Sequence, residues 1–545
     1  MKKFISDKKR IMAFRFILLF GFLFITNLNL LYATSNKKLG KLTPERTCFD
    51  VKKYDIYVKI QPESKTITGY VDISFLMLSE SKCLQLDFAN HMLIERVEYD
   101  TIELEIKRKA DIFFVKFEDK LIEDSNYSIR IHFQGKPQEA KLPPWEGGFV
   151  WNSDLESNDW IGLACESLGS SAWFPCKDHW SDEAESLDVH LEVPFGLIGV
   201  SNGKLIDNYS KDSGYQVFHW QVMNPINNYN ISINVGKYAV INDTFNGINT
   251  VPLKYYVLNY NQEIAEQHFQ QVKVMLEAFE HYFGPYPFPE DSYKLVETPY
   301  WGMEHQSCIA YGNNYRNNIY GFDFIIIHES GHEWFANSIT ASDAADMWIH
   351  ESFTTYSEAL FVEYTIGYSR SVEYLLDQRK KIVSKKPMLG KRGIFYHNKT
   401  DSDIYYKGTW VLHTMRNVLN NDSLWFELLK GLNTNFYHKI IRTEDIIDYF
   451  NVNTNYNWYS YFNQYLKSTE IPLIEVKSTD LGNGIIEYTM KLSEINSNFE
   501  LPIHLKYGDE YLDIILSKQS EKVQVPASFN LFSYINSHYL VNLKY

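Results

Sequence analysis

Two histidines and two glutamates near the middle of the chain have the types and spacing for metal chemistry. His328-Glu329-Ser330-Gly331-His332 places imidazoles at i and i+4, on one face of a helix. Both can reach one cation, while Glu329, one residue round, points at the same pocket. Glu351, in Trp348-Ile349-His350-Glu351-Ser352-Phe353, is the candidate third ligand. An N/N/O donor set with a fourth position open is what a catalytic zinc needs to hold a water. Such a pentapeptide arises by chance only about 0.03 times in a chain of this length, so it is read as a site. His350 adjoins Glu351 and points about 100° away on a helix. It and His305 are read as structural or subsite residues.

The elements that must position these groups follow from periodicity. From Cys48 the pattern is short alternating strands, Tyr54 to Ile60, Ile67 to Phe75 and Ser128 to Phe133, with no helix signal, which predicts an antiparallel β domain over 40–243. After Pro252 the period changes from 2 to 3.6, with Phe269, Val272, Met275, Leu276, Phe279 and Phe283 on one stripe ending at Gly284-Pro285. A catalytic domain is therefore expected over 244–468, with a strand at Tyr293 to Thr298 before the motif helix. From Ile471 the period returns to 2, in Leu473 to Lys477, Ile485 to Leu492, Ile503 to Tyr507 and Tyr511 to Leu516, predicting a small all-β domain over 470–545.

With 545 residues, 45% of them hydrophobic, the chain can bury several cores and is not disordered. Lys2, Lys3, Lys8, Lys9, Arg10 and Arg15 precede an apolar run from Phe16 to Ile25 and then Leu31-Tyr32-Ala33, the layout of a secretory signal over 1–33. Ten apolar residues are too few for a stable bilayer span. Export to the periplasm or exterior is expected, with an uncleaved anchor as the alternative. Cleavage removes six Lys or Arg and one Asp and takes the net charge from −15 to −20. So acidic a chain, without a basic run, is a poor partner for nucleic acid or an anionic membrane, and no stable membrane insertion is expected once the signal is gone. Five cysteines make no CxxC pair; a Cys48–Cys83 bridge is possible in the first domain, and at least one thiol must be free or intermolecular.

Taken together, the chain resembles the aminopeptidase N family, the zinc gluzincins that also include leukotriene hydrolase. The resemblance covers nearly all of 45–545. It rests on His328-Glu329-x-x-His332 with Glu351, on Trp334-Phe335, on Gly302-Met303-Glu304 and on Tyr405-Tyr406-Lys407-Gly408, all in the family's order. It implies a multidomain α+β fold: an N-terminal β-saddle, a thermolysin-like α/β catalytic domain and a small C-terminal β-sandwich. The large helical fourth domain of many relatives looks absent, which would leave the cleft more open to longer peptides.

The resemblance also implies site roles. Tyr405, alone, would be one of 39 tyrosines in a core; in the motif it becomes the phenol that donates to a developing oxyanion. Gly302 and Met303 form the segment that meets the substrate backbone, and Glu304 meets its α-ammonium. Trp301 and His305 stand where the family usually has Gly and Asn, which puts the size of the first subsite in question. Glu166, after Cys165, corresponds to a second amine-facing residue, with a solvated loop glutamate as the alternative. Glu358 corresponds to a carboxylate that orients a ligand histidine, or else is an exposed helix residue. The implied protein is an aminopeptidase with one Zn2+ per chain, acting on peptides with a free amino terminus. A thermolysin-type endopeptidase is one alternative, and a non-catalytic peptide-binding protein on the same scaffold is the other.

Overall fold

The computed structural model describes residues 40–211, 214–395 and 402–545. The signal expected over 1–33 lies outside these residues. No helix among them is long and apolar enough to cross a membrane.

The first part is β-rich. An eight-stranded sheet has Phe49–Gln61 and Thr66–Met77 at its centre, paired antiparallel. Their alternating burial places Val51, Ile56, Val58, Val71, Ile73 and Phe75 in one core. One pair breaks the antiparallel order: Ser186–Pro194 runs parallel to Phe49–Gln61. A four-stranded sheet, ordered Ile198–Val200, Asn234–Gly236, Asp159–Ala164 and Gly148–Ser153, faces the catalytic part and carries the turn with Glu166. Among the described residues of this part the one α-helix, Pro44–Thr47, is a single turn. All five cysteines are free; Cys48 Sγ donates to the Cys83 carbonyl at 3.9 Å instead of bridging.

The catalytic sheet begins at Tyr238, earlier than the change of period suggests. Tyr238–Asn246 and Thr250–Leu258 form a hairpin that joins Tyr293–Glu297, Ile309–Tyr311 and Gly302–Met303 in one five-stranded sheet. Two strands of period 2 cannot be told from the preceding β-rich part by alternation alone, so the boundary is visible only at the first helix. Gly302–Met303 is the edge strand, antiparallel to Ile309–Tyr311. Helix Phe324–Gly331 packs against this sheet, and Trp348–Ile366 packs against that helix and against helices Gln271–Phe283 and Tyr406–Leu419.

The C-terminal part pairs a four-stranded sheet, built on Leu473–Gly482 and Ile485–Ser493, with the hairpin Leu501–Tyr507 and Glu510–Leu516. A helix unforeseen from the sequence, Leu531–His538, closes it. This part is not a free-standing core. Its Met490, Leu501, Ile503 and Leu540 share one apolar cluster with Trp410, Tyr461 and Tyr465 of the catalytic helices. Arg379 fastens the join, donating to the carbonyls of Asn536 at 2.6 Å and Tyr539 at 2.9 Å.

The approach of the Tyr406–Leu419 helix to the Trp348–Ile366 helix depends on Gly408. A Cβ added there would lie 1.7 Å from Ser352 Oγ and 2.5 Å from its Cβ. Gly408→Ala is therefore expected to force the two helices apart and to lower unfolding stability by about 1–3 kcal/mol, the range for overpacking a core. Denaturant titration of parent and variant measures it; equal midpoints would show that the contact is not tight.

Candidate active site

The motif helix, Phe324–Gly331, starts where Asp323 accepts from the Ile325 amide at 3.0 Å. His332 caps its end at φ −64°, ψ −19°, still right-handed helical, so the i, i+4 relation with His328 survives the helix end. The two rings lie 4.9 Å apart, nearly perpendicular. Glu351 sits in the first turn of Trp348–Ile366, and its Oε2 is 3.5 Å from Nε2 of both histidines.

The far side of each ring fixes its orientation. His328 Nδ1 pairs with Glu358 Oε1 at 2.7 Å, and the other Glu358 oxygen accepts from the Tyr374 hydroxyl and from Gln378 Nε2 at 3.1 Å. Glu358 is buried, not an exposed helix residue. His332 Nδ1 donates to the Phe335 carbonyl at 3.0 Å. With both Nδ1 protons committed, two Nε2 lone pairs face Glu351 Oε2, a buried oxygen with no hydrogen-bond partner. Three Lewis bases pointed at one another in a buried pocket call for a cation. Donors about 2.1 Å from a tetrahedral ion sit about 3.4 Å apart, close to the spacing found here, so the set fits zinc. The electrostatics agree. Burial opposes charge on both imidazoles, yet Glu351 and Glu358 lift His328 well above its usual value, and Glu351 lifts His332. Burial also works against charge on Glu351, but the two imidazoles hold it well below the carboxylate range. Whatever favours a proton at this point favours a metal ion.

Gly302 lets Glu329 come close to the edge strand, since a Cβ there would lie 2.8 Å from Glu329 Oε1. Burial pushes the Glu329 carboxyl up to about 7; the imidazoles pull against this, and Glu304 and Glu351 add to it. A carboxylate poised near neutrality suits a general base. Met303, next along, is buried. Glu304 is 5% exposed, and single donor atoms of Glu304, Glu329 and His332 all lie within 4.8 Å of one another. Asn337 Nδ2 donates to the Glu304 carbonyl at 2.9 Å, but no side chain among the described residues donates to its carboxylate.

The Tyr405 hydroxyl donates to Glu351 Oε1 at 2.9 Å, and its ring lies 6.0 Å from that of His328. Burial, with Glu351 and Glu166 next, raises the phenol well above its usual value, so it is neutral and able to donate. Glu166 thus comes close enough to act on Tyr405 and Tyr229 through its charge. His350 accepts from the Ala341 amide at 2.8 Å and stacks on Trp180, away from the donors. His305 is fully buried, both ring nitrogens lack a partner, and burial pushes it down to about 3.

The sequence reading missed the amides that hold this site together. Asn230 Nδ2 donates to Asn337 Oδ1 at 2.8 Å, and Asn202 Nδ2 donates to the carbonyls of Asn230 at 2.8 Å and Gln306 at 2.7 Å. Glu333, whose carboxyl burial pushes up to about 8, accepts from the Ser307 amide at 2.7 Å. The available signal was the run from Asn224 to Asn234, with Asn at 224, 227, 228, 230 and 234. It reads as a loop, yet Asn227, Asn228, Asn230 and Asn234 are all buried.

Because Glu358 orients His328 and increases its basicity, Glu358→Gln is expected to keep the fold and weaken zinc binding by roughly 10- to 100-fold. Competition against a chromogenic chelator measures it. Unchanged affinity would mean that a neutral acceptor at position 358 holds the ring as well as the carboxylate does.

Comparison with known proteins places this arrangement. Residues 51–229 match the Peptidase M1 N-terminal domain and residues 267–465 the Peptidase family M1 domain. The chain is 24% identical over 326 residues to tricorn protease-interacting factor F2 of Thermoplasma acidophilum, covering 56% of this chain and 38% of that protein. It is 21% identical over 432 residues to glutamyl aminopeptidase of Rattus norvegicus, covering 72% and 44%. The chain thus spans about two fifths of the length of these curated relatives. In fold it is similar to the M1 zinc metallopeptidase from Deinococcus radiodurans, with TM-score 0.66, 19% identity and coverage of 78% of this chain and 95% of that one. A variant of that enzyme bound to a Tyr-Ser-Ala substrate gives TM-score 0.65 at 18% identity, covering 78% of this chain and 95% of that one. Two domain matches in the family's order, on a chain whose donors converge as described, show that it belongs to the M1 family of peptidases.

Proposed function

We propose that this chain is a zinc aminopeptidase that removes amino-terminal residues from peptides, with one ion per chain held by His328, His332 and Glu351. The observation that carries the reading is Glu304: a buried carboxylate beside Glu329 and His332, with no donor from another side chain, suited to an α-ammonium. An endopeptidase has no ammonium to bind and no use for such a group. The substrate-bound M1 neighbour, whose substrate is the peptide Tyr-Ser-Ala, supports the substrate class.

A zinc ion at this point supplies Lewis acidity and lowers the pKa of a water. Glu329 takes a proton from the attacking water as its oxygen bonds to the scissile carbonyl carbon, then passes that proton to the leaving nitrogen as the C–N bond breaks. The Tyr405 phenol shifts its hydrogen bond from Glu351 to the carbonyl oxygen as negative charge develops there. Gly302 and Met303, on an unpaired sheet edge, offer backbone groups to the peptide. Glu304 and Glu166 hold the ammonium, and Glu358 keeps His328 aimed. The signal-like segment over 1–33 supports export as the setting for this activity.

Two experiments test the reading. Glu329→Gln preserves shape but not basicity, so it is expected to keep zinc and lose most turnover; metal analysis with kinetics decides, and wild-type turnover would remove Glu329 from the base role. Glu304→Gln removes the charge that meets the ammonium, so kcat/KM on free-amine substrates is expected to fall by roughly ten- to a hundredfold. Amino-terminally acetylated peptides are expected to be refused by the parent. Equal cleavage of acetylated and free peptides would make this an endopeptidase, and inactivity of zinc-loaded protein towards both would make it a binding protein.

A further inference from the structure

Tyr229, from the β-rich part, is a second phenol at the site. It lies in the short turn Asn228–Asn230 and is fully buried. Its ring is 5.1 Å from that of Trp180, which stacks at 5.2 Å on His350, the chain neighbour of Glu351. The next residue, Asn230, donates to Asn337 Oδ1 at 2.8 Å, and Asn337 donates to the Glu304 carbonyl at 2.9 Å. Two hydrogen bonds thus link this turn to the chain at Glu304. The Tyr229 hydroxyl has no hydrogen-bond partner among the described residues; the Asn230 amide comes near it without completing one. A buried hydroxyl left unpaired is costly, so it marks a point where a ligand gains by bonding.

The charges around this hydroxyl say which end of the site it faces. Burial, then Glu304, Glu166 and Glu351 in that order, raise the phenol well above its usual value, so it stays neutral. On Tyr405 the same three carboxylates act in the reverse order, Glu351 first. Coulomb interaction falls with distance, so the two phenols flank the carboxylates from opposite ends, Tyr405 beside the metal position and Tyr229 beside Glu304. A primary α-ammonium brings three N–H donors, of which Glu304 and Glu166 accept two. In the resting site the Glu351 oxygens are engaged, one turned to the imidazoles and the other taken by the Tyr405 hydroxyl. We propose that the Tyr229 hydroxyl oxygen accepts the third N–H of the substrate's α-ammonium and so selects primary amines over N-alkylated ones. This inference rests on the aminopeptidase reading and adds to it a binding residue from the first domain.

Tyr229→Phe keeps the ring on Trp180 and removes an oxygen that bonds nothing in the protein, so its unfolding midpoint in denaturant is expected to equal or exceed the parent's. The zinc-loaded full chain, parent and variant, is assayed on leucyl and N-methylleucyl anilides, the second offering two N–H donors in place of three. The parent is expected to prefer the leucyl substrate. The ratio of the two kcat/KM values is expected to fall roughly tenfold in Tyr229→Phe, through KM, because the ammonium is held alike before and during the reaction. Tyr405→Phe, which acts on the developing charge, is expected to slow both substrates by one factor and leave the ratio as it was. A parent indifferent to the methyl group or a ratio unchanged in Tyr229→Phe overturns the proposal. So does a midpoint that falls together with activity, since the hydroxyl is then structural. If the parent cleaves neither substrate, the aminopeptidase reading fails by itself, and calorimetric titration with leucinamide and N-methylleucinamide still decides Tyr229. A parent preference for the primary amide that the variant loses retains it, and equal binding or none removes it.

Discussion

Three buried Lewis bases facing one another, two imidazole nitrogens and one carboxylate oxygen, are the constraint around which the catalytic part is arranged. Such a cluster repels itself unless a cation neutralises it, and it keeps its shape only if every donor is held from behind. The holding groups are Glu358 on His328 and the Phe335 carbonyl on His332. Both lie on or beside the helices that carry the ligands, so the distances are fixed by helix packing instead of by a loop. Close packing then requires small residues at the contacts, and Gly302 and Gly408 occupy them. Ala336 sits at φ +148° in the turn that aims the Phe335 carbonyl, an uncommon conformation for a residue with a Cβ and a local strain that the surrounding structure must hold.

The β-rich part is not merely attached to this site. Asn230 and Asn202 reach across to Asn337 and Gln306, so the backbone at Glu304 and just after it is tied both to the segment that follows the motif helix and to the first domain. Buried amides in a low-dielectric interior are costly when unpaired and rigid when paired. The segment that follows the edge strand is therefore positioned by the interface between the two parts. Glu166 comes from the same first part and acts through its charge on Tyr405, so the candidate site draws on two domains.

What was legible in the sequence was what periodicity and fixed spacing encode. The His328/His332/Glu351 set could be placed because i, i+4 spacing on a helix dictates direction, and the three-part architecture because hydrophobic period changes between β-rich and helical stretches. The start of the catalytic sheet at Tyr238 could not be seen, because its first hairpin has the same period as the strands before it. The Leu531–His538 helix is only eight residues long and presents two turns of apolar spacing, too little to stand out. The asparagine network was invisible for a different reason. Asn is a turn former in isolation, and only tertiary contact shows that Asn230 and Asn234 are buried. Glu358 was ambiguous between second layer and surface, since its i+7 relation to Glu351 gives a direction but not what covers it.

The charges also suggest why base and anchor lie together. Burial raises the proton affinity of Glu329, the two imidazoles lower it, and Glu304 and Glu351 raise it again, so positive charge nearby favours its ionised form. On the proposed reading, a metal ion on one side and a substrate ammonium on Glu304 on the other would supply that charge, each favouring the ionised form that can accept a proton from water. Substrate recognition and base activation would then be one electrostatic event. On the proposed reading a peptide without a free amine would fail twice, first because it would leave Glu304 unpaired in a buried pocket, and second because it would leave Glu329 less able to accept a proton. This coupling needs the two carboxylates to sit within a few ångströms of one another, which the edge strand achieves by placing Gly302 against Glu329 and Glu304 two residues further on.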